Sequence, residues 1–192
     1  MRWSEHFTAA SYSGASYGSG DLTVGQIAPE DLVLHEIRRR LAADAKLAAI
    51  FKNDRLYVCD GPDPFDFENL PKLLVYAGDT SEIKAPSSTN VYTVRVNVEL
   101  KYDPAAIGKI APGEATAASV VAQVKKVLKS NLQLTTQIGG DGRQMVKNSN
   151  AGPIVYRDNV DAIGGRYAVS QIVLWDYYLD VNYDTGQIRT LA

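Results

Sequence analysis

The clearest pattern in the chain is NVYTVRVNVELKYDP, Asn90 to Pro104, where apolar and polar positions alternate. Tyr92, Val94, Val96, Val98, Leu100 and Tyr102 form one row, and Thr93, Arg95, Asn97, Glu99 and Lys101 form the other. A period of two residues predicts a strand with one buried and one wet face. A different period governs the stretch from Pro29 to Phe51, where Leu34, Ile37, Leu41, Ala45, Ala48 and Phe51 recur at helical spacing. Pro29 suits a first helical position, and Glu30 and Asp31 suit the positive end of the helix dipole. A second helix is expected from Glu114 to Leu132, with Val120, Val124, Val127 and Leu128 on its apolar side.

Between these elements, RLYVCD (Arg55 to Asp60) and KLLVYAG (Lys72 to Gly78) read as strands, separated by the Pro-broken acidic loop Gly61 to Pro71. The segment from Asp79 to Thr89 is too long for a tight hairpin turn and is expected to project as a loop. LQLTTQI, from Leu132, is expected as a strand, followed by a polar, Gly-rich loop from Gly139 to Pro153. The last strand region, Arg166 to Tyr183, would exceed about 50 Å if straight, so it must bend, bulge or leave the sheet as an arm that pairs with another chain. The expected fold is therefore α+β: a mostly antiparallel sheet with two main helices packed on one face, plus extended arms and loops.

Residues 1–27 are rich in Ser, Gly, Ala and Tyr and contain a near-repeat, ASYSG then ASYGSG. They read as a flexible N-terminal arm before a single domain over 28–192, with projecting loops at 79–89 and 139–153. A frayed terminus is the plainer reading; against it, Trp3, Phe7, Tyr12 and Tyr17 would be costly to leave in water, so an arm that orders on a neighbouring subunit is the alternative.

Composition changes this picture by subtraction. A net charge of −2 supplies no field to hold a phosphate backbone, so general nucleic-acid binding is not expected. The single cysteine, Cys59, forms no internal disulfide and points to a reducing compartment. No segment reaches the roughly 18 uninterrupted apolar residues of a membrane span, and the start lacks a signal-like apolar stretch, so a soluble protein made in the cytoplasm is expected.

Candidate chemistry is thin. Gly14 to Gly18 match G-x-S-x-G, but in a low-complexity arm without the strand–turn–helix context that activates such a serine. Two histidines and one cysteine leave little for zinc. Asp60, Asp63 and Asp66 are weak candidates for a hard cation, without the ligand ladder or glycine of an EF-hand, and a solvated acidic loop is the plainer reading. Gly139 to Arg143, GGDGR, lacks the Lys-Ser/Thr of a phosphate loop. No catalytic residue and no cofactor is assigned. The contact candidates are Trp3, Phe7, Tyr12, Tyr17, Glu82, Lys84, Arg143, Tyr177 and Tyr183, on the arm, the two loops and the long last strand.

The order of elements resembles the tail terminator (tail completion) proteins of long-tailed bacteriophages. FENLPKLLVYAGD, Phe67 to Asp79, looks like the family's aromatic-x-x-Pro lead into a strand. NVYTVRVNVELKYDP followed by ATAASVVAQVKKVL looks like its central strand and packing helix. The resemblance spans about Asp31 to Tyr183; the N-terminal arm and the loop Gly139 to Pro153 depart from it. It implies a virion protein of the tail or neck that forms a homohexameric ring, caps the tail tube protein and meets the head connector or another neck protein. DNA would pass through without sequence-specific binding. A head-to-tail stopper or adaptor, a tail tube protein and, in a different class, an unrecognised enzyme remain the alternatives.

Overall fold

A computed structural model describes residues 29–51, 55–62, 67, 70–84, 89–104, 115–130, 146, 148–161 and 164–182. The expected helix at 29–51 is two helices, α1 (Pro29–Ala43) and α2 (Ala45–Ile50). Asp44 divides them: its Oδ1 accepts from the backbone N–H groups of Lys46 and Leu47 at 3.1 and 3.0 Å, which caps α2. The restart shifts the buried positions, so Leu47 enters the core while Ala45 is exposed. Helix α3 (Ala117–Lys129) begins at Thr116, where Thr116 and Ser119 exchange side chain to backbone bonds in a capping box. Gln123 of α3 donates to Asp44 Oδ2 at 2.7 Å, tying α3 to the α1–α2 junction.

Five strands form one sheet in the order β1-β2-β3-β5-β4: β1 (Leu56–Val58), β2 (Lys72–Lys84), β3 (Thr89–Tyr102), β4 (Asn148–Asp161) and β5 (Arg166–Asn182). Only β1 runs parallel to its neighbour; every other pair is antiparallel. The α+β class holds, and the helices contribute to one core with one face of the sheet. Leu73 and Val75 of β2, Val94, Val96, Val98 and Leu100 of β3, and Val173, Trp175, Tyr177 and Leu179 of β5 meet Ile37, Leu41, Leu47, Val120 and Val124 there. Each such aliphatic side chain, fully withdrawn from water, contributes on the order of 1.5–3 kcal/mol.

Several expectations change. The segment 79–84, expected in a projecting loop, continues β2 and pairs with β3 up to Lys84 opposite Asn90. A register shift between Ala77 and Thr80 absorbs the Gly78–Asp79 step; a Cβ on Gly78 would meet Arg95 and Asn97 side-chain atoms at 3.0 Å. Residues 148–153, expected as loop, open β4, a strand the sequence pattern did not suggest. The last strand does not leave the sheet: β5 is interior, paired with β3 from Val169 to Asn182 and with β4 from Arg166 to Tyr178. Interior position satisfies its backbone on both sides, and that is what its length serves. The N-terminal arm, LQLTTQI and most of the loop from Gly139 lie outside the described residues.

Candidate functional site

The row expected to be wet, Thr93 to Lys101, is wet only in part. Glu99 and Lys101 are buried at 2% and 0% exposure, and Lys72, directly opposite Lys101, is buried at 2%. They lie on the sheet face away from the helices. The register places Leu74 and Ile172 on either side of Glu99, and Lys72 and Ser170 on either side of Lys101. Tyr76 donates its phenol proton to Glu99 Oε2 at 2.8 Å, and Ser170 Oγ donates to Glu99 Oε1. Asn159 of β4 donates to Ser170 Oγ at 2.8 Å, completing a chain across four strands, β2-β3-β5-β4. Lys101 Nζ stands 4.8 Å from the ring centroid of Phe67, within cation–π range.

Burial, and then the neighbouring Glu99, pushes the Tyr76 phenol well above its ordinary range, so it stays a donor at any physiological pH. The arrangement satisfies one carboxyl group with two donors from different strands. Its chemical capacity is to hold four strands in register, because loss of any member leaves a buried polar atom without its partner. Toward the other end of this face the sheet opens: Arg95 meets Asp176 at 2.7 and 3.1 Å, an ion pair that raises the arginine's pKa through its hydrogen bond to Asp176. Asn150 donates to Tyr178 at 3.4 Å nearby.

Among the described residues, the exposed large apolar side chains are elsewhere, along the outer strand. Tyr156 is 67% exposed, Val160 60%, Tyr167 44% and Val155 37%, and all lie on β4 or at the adjoining start of β5. Tyr167 donates to Asp158 at 2.8 Å across the pair, and this hydrogen bond raises its pKa. β4 is the terminal strand of the sheet, so along its outer side its backbone N–H and C=O groups face away from β5. An edge strand with exposed tyrosine and valine is suited to pairing with another polypeptide.

The contact candidates fall out unevenly. Tyr177 is a correction: it has 0% exposure in the helix-covered core, where the alternation of β5 sets it beside Val94, so it presents nothing to a partner. Glu82 and Lys84 lie on the far part of β2, at register positions opposite Tyr92 and Asn90. Trp3, Phe7, Tyr12, Tyr17, Arg143 and Tyr183 lie outside the described residues, as do Asp63 and Asp66. Asp60 is exposed, and among the described residues no group of three or more His, Cys, Asp or Glu is placed to hold a metal ion. Tyr156, Val160 and Tyr167 were missed. For Tyr156 and Val160 the signal was the run PIVYRDNV between Gly152 and the Gly164-Gly165 pair, β-branched and aromatic residues bounded by turn formers, and Tyr167 follows that pair.

No protein-family model matches the chain, and no curated protein matches it. Among solved structures, one described as "Virion of native gene transfer agent (GTA) particle" is similar over 75% of this chain and 91% of its own, with 17% identity and a TM-score of 0.45.

Proposed function

We propose that the chain is a structural protein of a virion, a tail terminator whose copies form a ring that caps the tail tube and joins it to the head connector. The observation that carries the structural half of this reading is the open edge of β4 with Tyr156 and Val160 on it, a surface built for contact between polypeptides. The tail half rests on the sequence resemblance through Phe67–Asp79 and Asn90–Pro104. Mild net acidity, −2 over the chain, accords with a channel through which DNA slides without sticking. No helix among the described residues is long and apolar enough to cross a membrane.

A neck stopper or adaptor, or a tube subunit, would use the same kind of edge, and assembly separates them. Electron microscopy and mass measurement of the purified protein at micromolar concentration, full length and lacking residues 1–27, is the test. Closed rings of one size that bind the ends of tail tubes are expected. Open-ended polymers would instead indicate a tube subunit, and preference for the portal side a connector. A strictly monomeric species in both forms, also when mixed with tail tubes, would reject the proposal.

A further inference from the structure

Among the described residues the sheet is open on both sides. On one, β4 runs regularly from Ile154 to Asp161 past the irregularity between Ala151 and Ile154, and it is the terminal strand. On the other, β1 covers β2 only at Leu73–Val75, so from Tyr76 to Lys84 no described strand lies beside β2 on that side. Among the described residues, both stretches have a line of backbone groups without a strand partner.

Their directions are what makes the pair informative. β2, β3, β5 and β4 are successive neighbours and each pair is antiparallel, so β4 runs opposite to β2. A second copy set alongside by rotation, with its helices on the same side, therefore brings its β2 antiparallel to the first copy's β4. One strand fewer in this run would have made the junction parallel, which is the weaker pairing. Charge fits as well. Both stretches carry both signs, Arg157 and Asp158 on β4, and Asp79, Glu82 and Lys84 on β2. A register that keeps the faces continuous and sets Lys84 opposite Asp158 sets Glu82 opposite Val160, so no two acids meet.

We propose that Asp158–Asp161 of β4 pairs with Ser81–Lys84 of β2 in a second copy of this chain, extending one antiparallel sheet from copy to copy. This rests on the reading of the chain as a self-assembling subunit. The contact joins two different surfaces, so repetition gives a closed ring or an open filament rather than a two-fold dimer.

Hydrogen exchange read by mass spectrometry on the full-length protein, assembled and diluted to monomer, tests it without substitutions. Amides in 158–161 and in 81–84 should both slow at least tenfold on assembly. A cysteine pair supplies the second readout, in a Cys59→Ser background: D158C mixed with K84C should form a disulfide-linked dimer, and neither should do so alone. Rings whose β4 and β2 amides exchange as fast as in the monomer would overturn the pairing while leaving the ring reading intact. Cross-linking of D158C to itself would overturn it in favour of β4 pairing with β4, and a protein that never assembles would remove the reading beneath it.

Discussion

Strand β3 sends alternate side chains into two differently built environments. On the helix side, Val94, Val96, Val98 and Leu100 enter a core of aliphatic and aromatic groups where directionless apolar contact dominates. On the far side, Glu99 is as buried as those residues but is held by named hydrogen bonds from Tyr76 and Ser170, with Asn159 behind Ser170. An apolar core tolerates approximate shape and is damaged in proportion to the volume removed. A buried polar chain is damaged in proportion to the partners left unmatched.

The largest effect is expected on the helix side. Leu179→Ala empties a fully buried position between strands and helices and should cost about 2–5 kcal/mol, seen as a lower denaturant midpoint at unchanged slope. A cost below about 1 kcal/mol would mean that the site collapses freely, and the contrast between faces would lose its first term.

On the far face, Ser170→Ala should cost about 1–3 kcal/mol, since Glu99 and Asn159 each lose a partner in a buried place. Tyr76→Phe should cost about 1–2 kcal/mol by removing the other donor to Glu99. Because both changes act through one carboxyl group, the double variant should depart from the sum by at least about 0.5 kcal/mol. Strict additivity in a double-mutant cycle would show that the two bonds are independent and that the far face is not a network.

The apolar half of this architecture was legible in the sequence, and the polar half was not. Alternation in Asn90–Pro104 and in Arg166–Tyr183 located β3 and β5, because a core on one face imposes a period of two on whatever strand borders it. Glu99 and Lys101 look the same in a sequence whether they face water or a buried partner, and Ser170 and Asn159 are far from them along the chain. β4 hid for another reason. Its apolar residues sit on an exposed edge, so no core row marks them, and Gly152 and Pro153 near its start read as loop; the structure uses them at the register shift against β5. The break at Asp44 was written in the chain as an N-capping residue inside a helical pattern, but the periodicity on either side masked it.

Alkaline pH offers a smaller probe that acts on both faces. Tyr76 on the far face and Tyr177 in the core both have phenols pushed far above the ordinary range, chiefly by burial. A phenol with a raised folded-state pKa contributes stability that is complete below the unfolded value, about 10, and is lost as pH climbs above it. The wild type should therefore lose stability from about pH 10 upward, and replacing both tyrosines by phenylalanine should flatten that limb. An unchanged slope between pH 10 and 11.5 (approximately) in the double variant would assign alkaline unfolding to other groups.

The same substitution, tyrosine to phenylalanine, gives the smallest and most discriminating effect at neutral pH. Tyr76 has a partner for its hydroxyl, whereas the buried Tyr177 hydroxyl has no hydrogen-bond partner among the described residues, like the Trp175 indole N–H on the same face. Removing an unmatched buried hydroxyl removes a desolvation cost without breaking a bond, so Tyr177→Phe should change stability by no more than about 1 kcal/mol, on the stabilising side. Tyr76→Phe goes the other way. A loss of about 2 kcal/mol at position 177 would mean that its hydroxyl is satisfied in solution by a buried water, and that the helix-side core is not purely apolar.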